Sequence, residues 1–140
     1  MPERGGDPMQ HYTQSEAYTQ IGLDIINSNP DFEHLKGADV RVAFLSCTKP
    51  KRSKNKVTFG ECIKVTEINK VFNPYDFFIV IYEPNVENFT DTQIKILIEH
   101  ELMHIGVEYK DGEAIYYLVP HDLEDFKNII DKYGTDWAEV

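Results

Sequence analysis

Long apolar runs are missing from this chain. The best candidate, around residues 77–82, is far shorter than the roughly 20 residues that span a bilayer, and residues 1–7 are charged and glycine-containing, unlike a secretion signal. The expected compartment is therefore the cytosol. Cysteine is scarce too: Cys47 and Cys62 are too few and too far apart for a zinc ribbon or a redox pair, and are expected as small apolar residues facing a core, without a disulfide. Positive charge is in short supply, with 14 Lys and Arg against 24 Asp and Glu and a net charge of -10, which disfavours generic binding to nucleic acid. The exception is local. Lys49, Lys51, Arg52, Lys54 and Lys56 crowd one segment, read as a solvated, mobile loop, with a binding role towards an acidic partner or nucleic acid as the alternative.

The 140 residues suffice for one domain with one core, burying about two-thirds of the extended-chain surface. At its centre stands His100-Glu101-Leu102-Met103-His104, an H-E-x-x-H motif within residues 90–109. On a helix, residues four apart lie on one face about 6 Å apart along the axis, so both imidazoles can reach one ion. Glu101 then sits at the edge of that face, able to reach a metal-activated water without being a ligand. The local chemistry favours a helix. Thr90-Asp91-Thr92-Gln93 reads as a capping box, Phe89 and Ile94 occupy the staple positions, and Ile94, Leu97, Ile98, Leu102 and Ile105 follow helical spacing. Burial makes both histidines costly unless each has a partner, so satisfied core histidines are the plainer alternative to metal ligands.

Upstream, residues 1–12 read as a flexible tail, and Thr13-Gln14-Ser15-Glu16 as a second capping box opening a helix that Asn29-Pro30 stops. Its apolar face is Tyr18, Ile21, Gly22, Ile25 and Ile26. A short helical turn is expected at 31–37, a strand at 40–48, an extended stretch at 57–68 with a bulge or break at Gly60, and the strongest strand at 76–83. Lys110-Asp111-Gly112-Glu113 is a turn signal, for a hairpin or for a helix end followed by a strand. Beyond Pro120, Leu123, Phe126, Ile129, Ile130 and Tyr133 form the stripe of a last helix that Gly134 caps. His11 and His34 read as surface residues.

Catalytic zinc takes three protein ligands as a rule. The short-spaced H-E-x-x-H-x-x-G-x-x-H pattern fails, because Val107 and Lys110 stand at its glycine and last histidine. Glu113 and Glu124 are available, but His121 is the better candidate: it follows a turn and a strand that can bring the chain back, and it opens the last helix. The plainer alternative is that it merely caps that helix.

Residues 76–137 are similar throughout to the phage metallopeptidase family, whose pattern is a D-F-x-I strand, a helix bearing H-E-L-x-H, and a closing H-D-x-x-D-F helix ending in Y/H-G-x-W. A looser likeness extends back through Gly60 to the first helix. The resemblance implies an α+β, zincin-like domain of the minimal gluzincin or SprT-like kind: a small, twisted, mainly antiparallel sheet packed with the N-terminal helix, the motif helix and the C-terminal helix. It further implies zinc on His100, His104 and His121 with Glu101 catalytic, and it sets Asp122 and Asp125 in the shared motif without defining their roles. Met103 departs from the many relatives with cysteine there, on the side away from the histidine pair.

The expected chemistry is hydrolysis of a peptide or protein substrate, with Glu101 as general base and then general acid. Asp122 or Asp125 can hold a ligand imidazole in place, or Asp122 can simply favour its helix dipole. Tyr109, Tyr116, Tyr117 and Tyr133 are candidate oxyanion donors. Two rivals remain: a zinc-stabilised binding domain without turnover, and a SprT-like protease recruited to nucleic acid through the basic segment.

Overall fold

A computed structural model of the chain describes residues 11–120. The expected C-terminal helix, with His121, Asp122, Glu124, Asp125 and Tyr133, lies outside the described residues, as does the tail up to residue 10.

The chain opens with a short edge strand, β1 (Tyr12–Gln14), so Tyr12 belongs to the sheet rather than to a tail. Helix α1 (Glu16–Ser28) follows, and its cap is Ser15, whose Oγ accepts from the Tyr18 amide at 3.1 Å. The expected cap, Thr13, is instead paired with Ser46 across the sheet. Asn29 closes α1, and a 3₁₀ turn (Pro30–Phe32) leads into α2 (Glu33–Gly37). Strand β2 (Val42–Cys47) falls where alternation places it. The basic segment is a hairpin, β3 (Arg52–Ser53) with β4 (Lys56–Val57), and its turn residues Lys54 and Asn55 have φ of 53° and 65°. Positive φ at both central residues is the two-residue turn that matches strand twist. Strand β5 (Gly60–Lys64) begins at the glycine expected to break it; a 3₁₀ turn (Asn69–Val71) precedes β6 (Phe77–Tyr82).

After the short α3 (Glu83–Val86) comes the motif helix, α4 (Asp91–Leu102), with both halves of the predicted capping box formed: Gln93 N to Thr90 Oγ1 at 3.1 Å, and Thr90 N to Gln93 Oε1 at 2.8 Å. The helix stops at Leu102, short of the helical spacing that extends to Ile105. Residues Ile105–Lys110 form β7 and Glu113–Leu118 form β8, an antiparallel hairpin turning on Asp111 and Gly112 at φ of 52° and 82°.

The main sheet has the order β1-β2-β6-β5. Its outer pairs are antiparallel, but the central pair, β2 with β6, is parallel, so the sheet is mixed. One face carries Phe44, Phe77, Ile79 and Ile81, on which α1 lays Ile25 and Ile26, α2 lays Leu35 and α4 lays Leu97, Ile98 and Leu102. A smaller cluster of Cys47, Val80 and Tyr82 lies on the opposite face. Both cysteines are free thiols, as their spacing implies. Among the described residues no helix is long and apolar enough to cross a membrane.

Candidate functional site

The last turn of α4 and the base of the β7–β8 hairpin bring the motif together. Helical hydrogen bonding ends just before His104: Met103 N donates to Glu99 O at 3.1 Å, and His104 N to Glu101 O at 3.1 Å, a tightened i→i+3 turn. That turn keeps the two imidazoles on one side, with ring centroids 5.1 Å apart and planes at 90°. His100, Glu101 and His104 are all buried, at 6%, 4% and 5% exposure, so their polar atoms act without dilution by bulk water.

The hairpin register orients His104. Ile105 is opposite Leu118, and the next rung is Val119 N to His104 O at 2.7 Å. The same rung sets the Val119 carbonyl 2.6 Å from His104 Nδ1. A carbonyl only accepts, so Nδ1 carries the proton and Nε2 the lone pair. Histidines that bind metal through one nitrogen characteristically donate the other N–H to such a carbonyl. The donor chemistry of His104 therefore fits a metal ligand.

A cleft of about 680 Å³ opens beside this pair. Its walls are β5, through Gly60, Glu61 and Cys62, and the end of β8, through Leu118, Val119 and Pro120; Glu101 and His104 lie between. A smaller recess of about 240 Å³ reaches His100 and Glu101 past Phe59 and Gly60. Gly60 is where β5 meets α4. A Cβ built on it would stand 3.2 Å from the Val80 carbonyl oxygen and 3.4 Å from Glu101 Cγ, so its missing side chain makes room for the glutamate. Of the bulge or break expected at Gly60, the break is what forms, since β5 begins there. A glycine in a strand also marks close backbone approach, and that meaning applies here as well.

Cys62 shares this neighbourhood. Burial pushes its thiol well above the ordinary range, and the carboxylates of Glu101 and Glu61 push it further. It is a neutral wall residue. Glu61 behaves differently: burial alone would raise its carboxyl, but hydrogen bonds from Lys51 and Tyr82 and the Lys51 charge outweigh that and hold it below its usual value. Lys51 Nζ reaches both Glu61 oxygens at 2.8 and 2.9 Å, and Tyr82 OH donates to Oε1 at 2.5 Å.

Other sequence candidates are not brought to the site. Glu113 is at the tip of the hairpin, opposite Lys110, whereas His104 adjoins the base. At about 3.3 Å per residue the five positions from Glu113 to Leu118 span roughly 17 Å, which removes Glu113 as a third ligand. Tyr116 donates its hydroxyl to the Ala38 carbonyl at 3.2 Å, and Tyr109 and Tyr117 are exposed; none of these tyrosines lines the cleft. His34 is exposed, as expected, with Nε2 3.4 Å from the Ile105 carbonyl, whereas His11 is half-buried beside Thr48, whose amide donates to its carbonyl at 2.9 Å, rather than part of a free tail. Among the described residues no three His, Cys, Asp or Glu side chains converge to hold a metal ion. The remaining third-ligand candidates of the sequence, His121 and Glu124, lie outside the described residues.

Comparison with curated proteins and with solved structures returns no match. A family model described as "Putative phage metallopeptidase" matches residues 10–140, nearly the whole chain. The paired histidines, the glutamate between them and the cleft alongside thus belong to a member of that family.

Proposed function

We propose that the chain is a zinc-dependent peptidase in which His100, His104 and His121 hold the metal and Glu101 moves the proton during hydrolysis. The family description implies a metal cofactor and a peptide or protein substrate. The observation that supports the finer reading is the Val119 carbonyl 2.6 Å from His104 Nδ1, which makes Nε2 the nitrogen with the lone pair, on a ring whose centroid is 5.1 Å from that of His100. His121 is bonded to Pro120, and Pro120 lines the cleft with Glu101 and His104.

When bound, zinc supplies Lewis acidity, making a nucleophilic water available near neutral pH and polarising the scissile carbonyl. Glu101 takes the proton from the attacking water and returns it to the leaving amine. The edge of β5, which pairs with no further strand among the described residues, guides an extended substrate into the cleft by backbone hydrogen bonding, which leaves side chains free to be read by the walls. Asp122 or Asp125 fixes the orientation of a ligand imidazole. The cytosol, where both free thiols persist, is the compartment this reading assigns.

Glu101→Gln tests the assignment, since it preserves shape and removes the base. Zinc content and the thermal midpoint should stay at parent values while peptide hydrolysis falls by about 10²–10⁴-fold, the usual share of a general base. A zinc-stabilised binding domain would instead show no hydrolysis in either protein. Unchanged hydrolysis in the variant would remove Glu101 from the mechanism.

A further inference from the structure

The basic segment is part of the cleft. Ser53 and Lys56 are directly opposite each other in the β3–β4 register, and both line the cleft with Glu101 and His104. The other cations of the segment are engaged or lie elsewhere. Lys51 is held by Glu61 at 2.8 Å and sits 5.7 Å from the centre of the Tyr82 ring, and Arg52 donates to the Asn55 carbonyl within the turn. Lys49 and Lys54 do not line the cleft. Lys56 is exposed and has no ion pair among the described residues. Asn85 steadies the hairpin, its Nδ2 donating to the carbonyls of Lys51 at 3.0 Å and Thr58 at 2.8 Å, one on each side of the turn.

We infer that Lys56, with Ser53 beside it, selects peptides that carry a carboxylate where they pass under the hairpin. The inference rests on the peptidase reading above and names the substrate class of that site. Overall charge opposes it, since a chain at -10 repels acidic peptides at long range. At about 0.15 M salt, however, screening limits that repulsion to roughly 8 Å. Within the cleft the nearest free cation decides. A lysine is a mobile point charge with three donors, suited to one carboxylate in several poses. Ser53 can add a neutral donor from the facing strand.

The test uses the full chain loaded with zinc and three blocked decapeptides, N-acetylated and C-amidated, of apolar and alanine residues with a central Glu, Gln or Lys. A fourth peptide carries Gln and a free C-terminus. Binding is read by fluorescence anisotropy and cleavage by mass spectrometry, for the parent, Lys56→Ala and Lys56→Glu. The parent should favour the Glu peptide over the Gln peptide by up to about fivefold, the upper range for an exposed ion pair. Lys56→Ala should abolish that preference, and Lys56→Glu should transfer it to the Lys peptide. A preference for the free C-terminus instead would make the chain-end carboxylate the ligand, and its loss in Lys56→Ala would keep Lys56 as the reader. Binding that discriminates without cleavage would uphold the inference and sink the peptidase reading. Cleavage with equal preference in all three proteins would do the reverse. Displacement of the Glu peptide by a single-stranded oligonucleotide, weakened in Lys56→Ala, would overturn the inference in favour of nucleic acid.

Discussion

Two carboxylates that line one cleft, Glu101 within the motif and Glu61 on β5, are held in different surroundings. Glu101 is almost fully buried beside the paired histidines and Gly60, the placement that the proposed proton transfer requires. Glu61 is tied by Lys51 and Tyr82, which hold its carboxyl below the ordinary value. A carboxyl whose folded value is depressed stabilises the fold in full above its unfolded value of about 4.3 and loses that contribution as pH falls through the lower folded value. Removing Lys51 withdraws the main stabilising partner. Lys51→Ala should therefore be less stable than the parent at pH 7, with the gap closing as pH falls below about 4. Urea titrations of both proteins at several pH values measure it. A gap independent of pH would mean that Lys51 acts through packing on Tyr82 rather than through Glu61.

Among the elements, α1 sits so close to β2 that one atom decides the fit. A Cβ on Gly22 would lie 2.2 Å from Phe44 Cζ and 2.3 Å from Cε2, and the Phe44 ring is wedged in the core. Alanine is the better helix former by about 1 kcal/mol, but overpacking costs about 1–3 kcal/mol. Gly22→Ala should thus lose about 1 kcal/mol in a denaturant midpoint, and a gain would mean that the helix shifts freely on the sheet. Much of this level was legible in the residues: the capping box of α4, the stop at Asn29-Pro30, the alternation of β2, the apolar run of β6 and the Asp111-Gly112 turn are all local signals. In sequence, residues 105–109 fit either a hairpin strand or a helix end, and the β7–β8 ladder is the hairpin. Two features were not legible. Lys54-Asn55 lacks the glycine that announces a two-residue turn, so the hairpin read as a loop. The parallel pairing of β2 with β6 is a long-range choice that periodicity does not encode.

Over the whole molecule, the fold spends its regular structure on aligning three things at one edge of the sheet: the end of α4, the edge of β5 and the base of the β7–β8 hairpin. The closeness of His100 and His104 was readable from their spacing, although α4 ends at Leu102 and a tighter final turn, not the α-helix itself, carries His104. The Val119 carbonyl that sets the His104 tautomer, the room Gly60 leaves for Glu101 and the placement of Lys56 over the cleft were not, since each depends on strands meeting across distant sequence. Metal content of the purified protein tests the central claim most directly, measured by mass spectrometry on the parent and on His104→Ala and His121→Ala, with folding checked by circular dichroism. One equivalent of zinc in the parent and little in either variant is the predicted result. Equal zinc in parent and variants, or none in a folded parent dialysed against zinc, would contradict it.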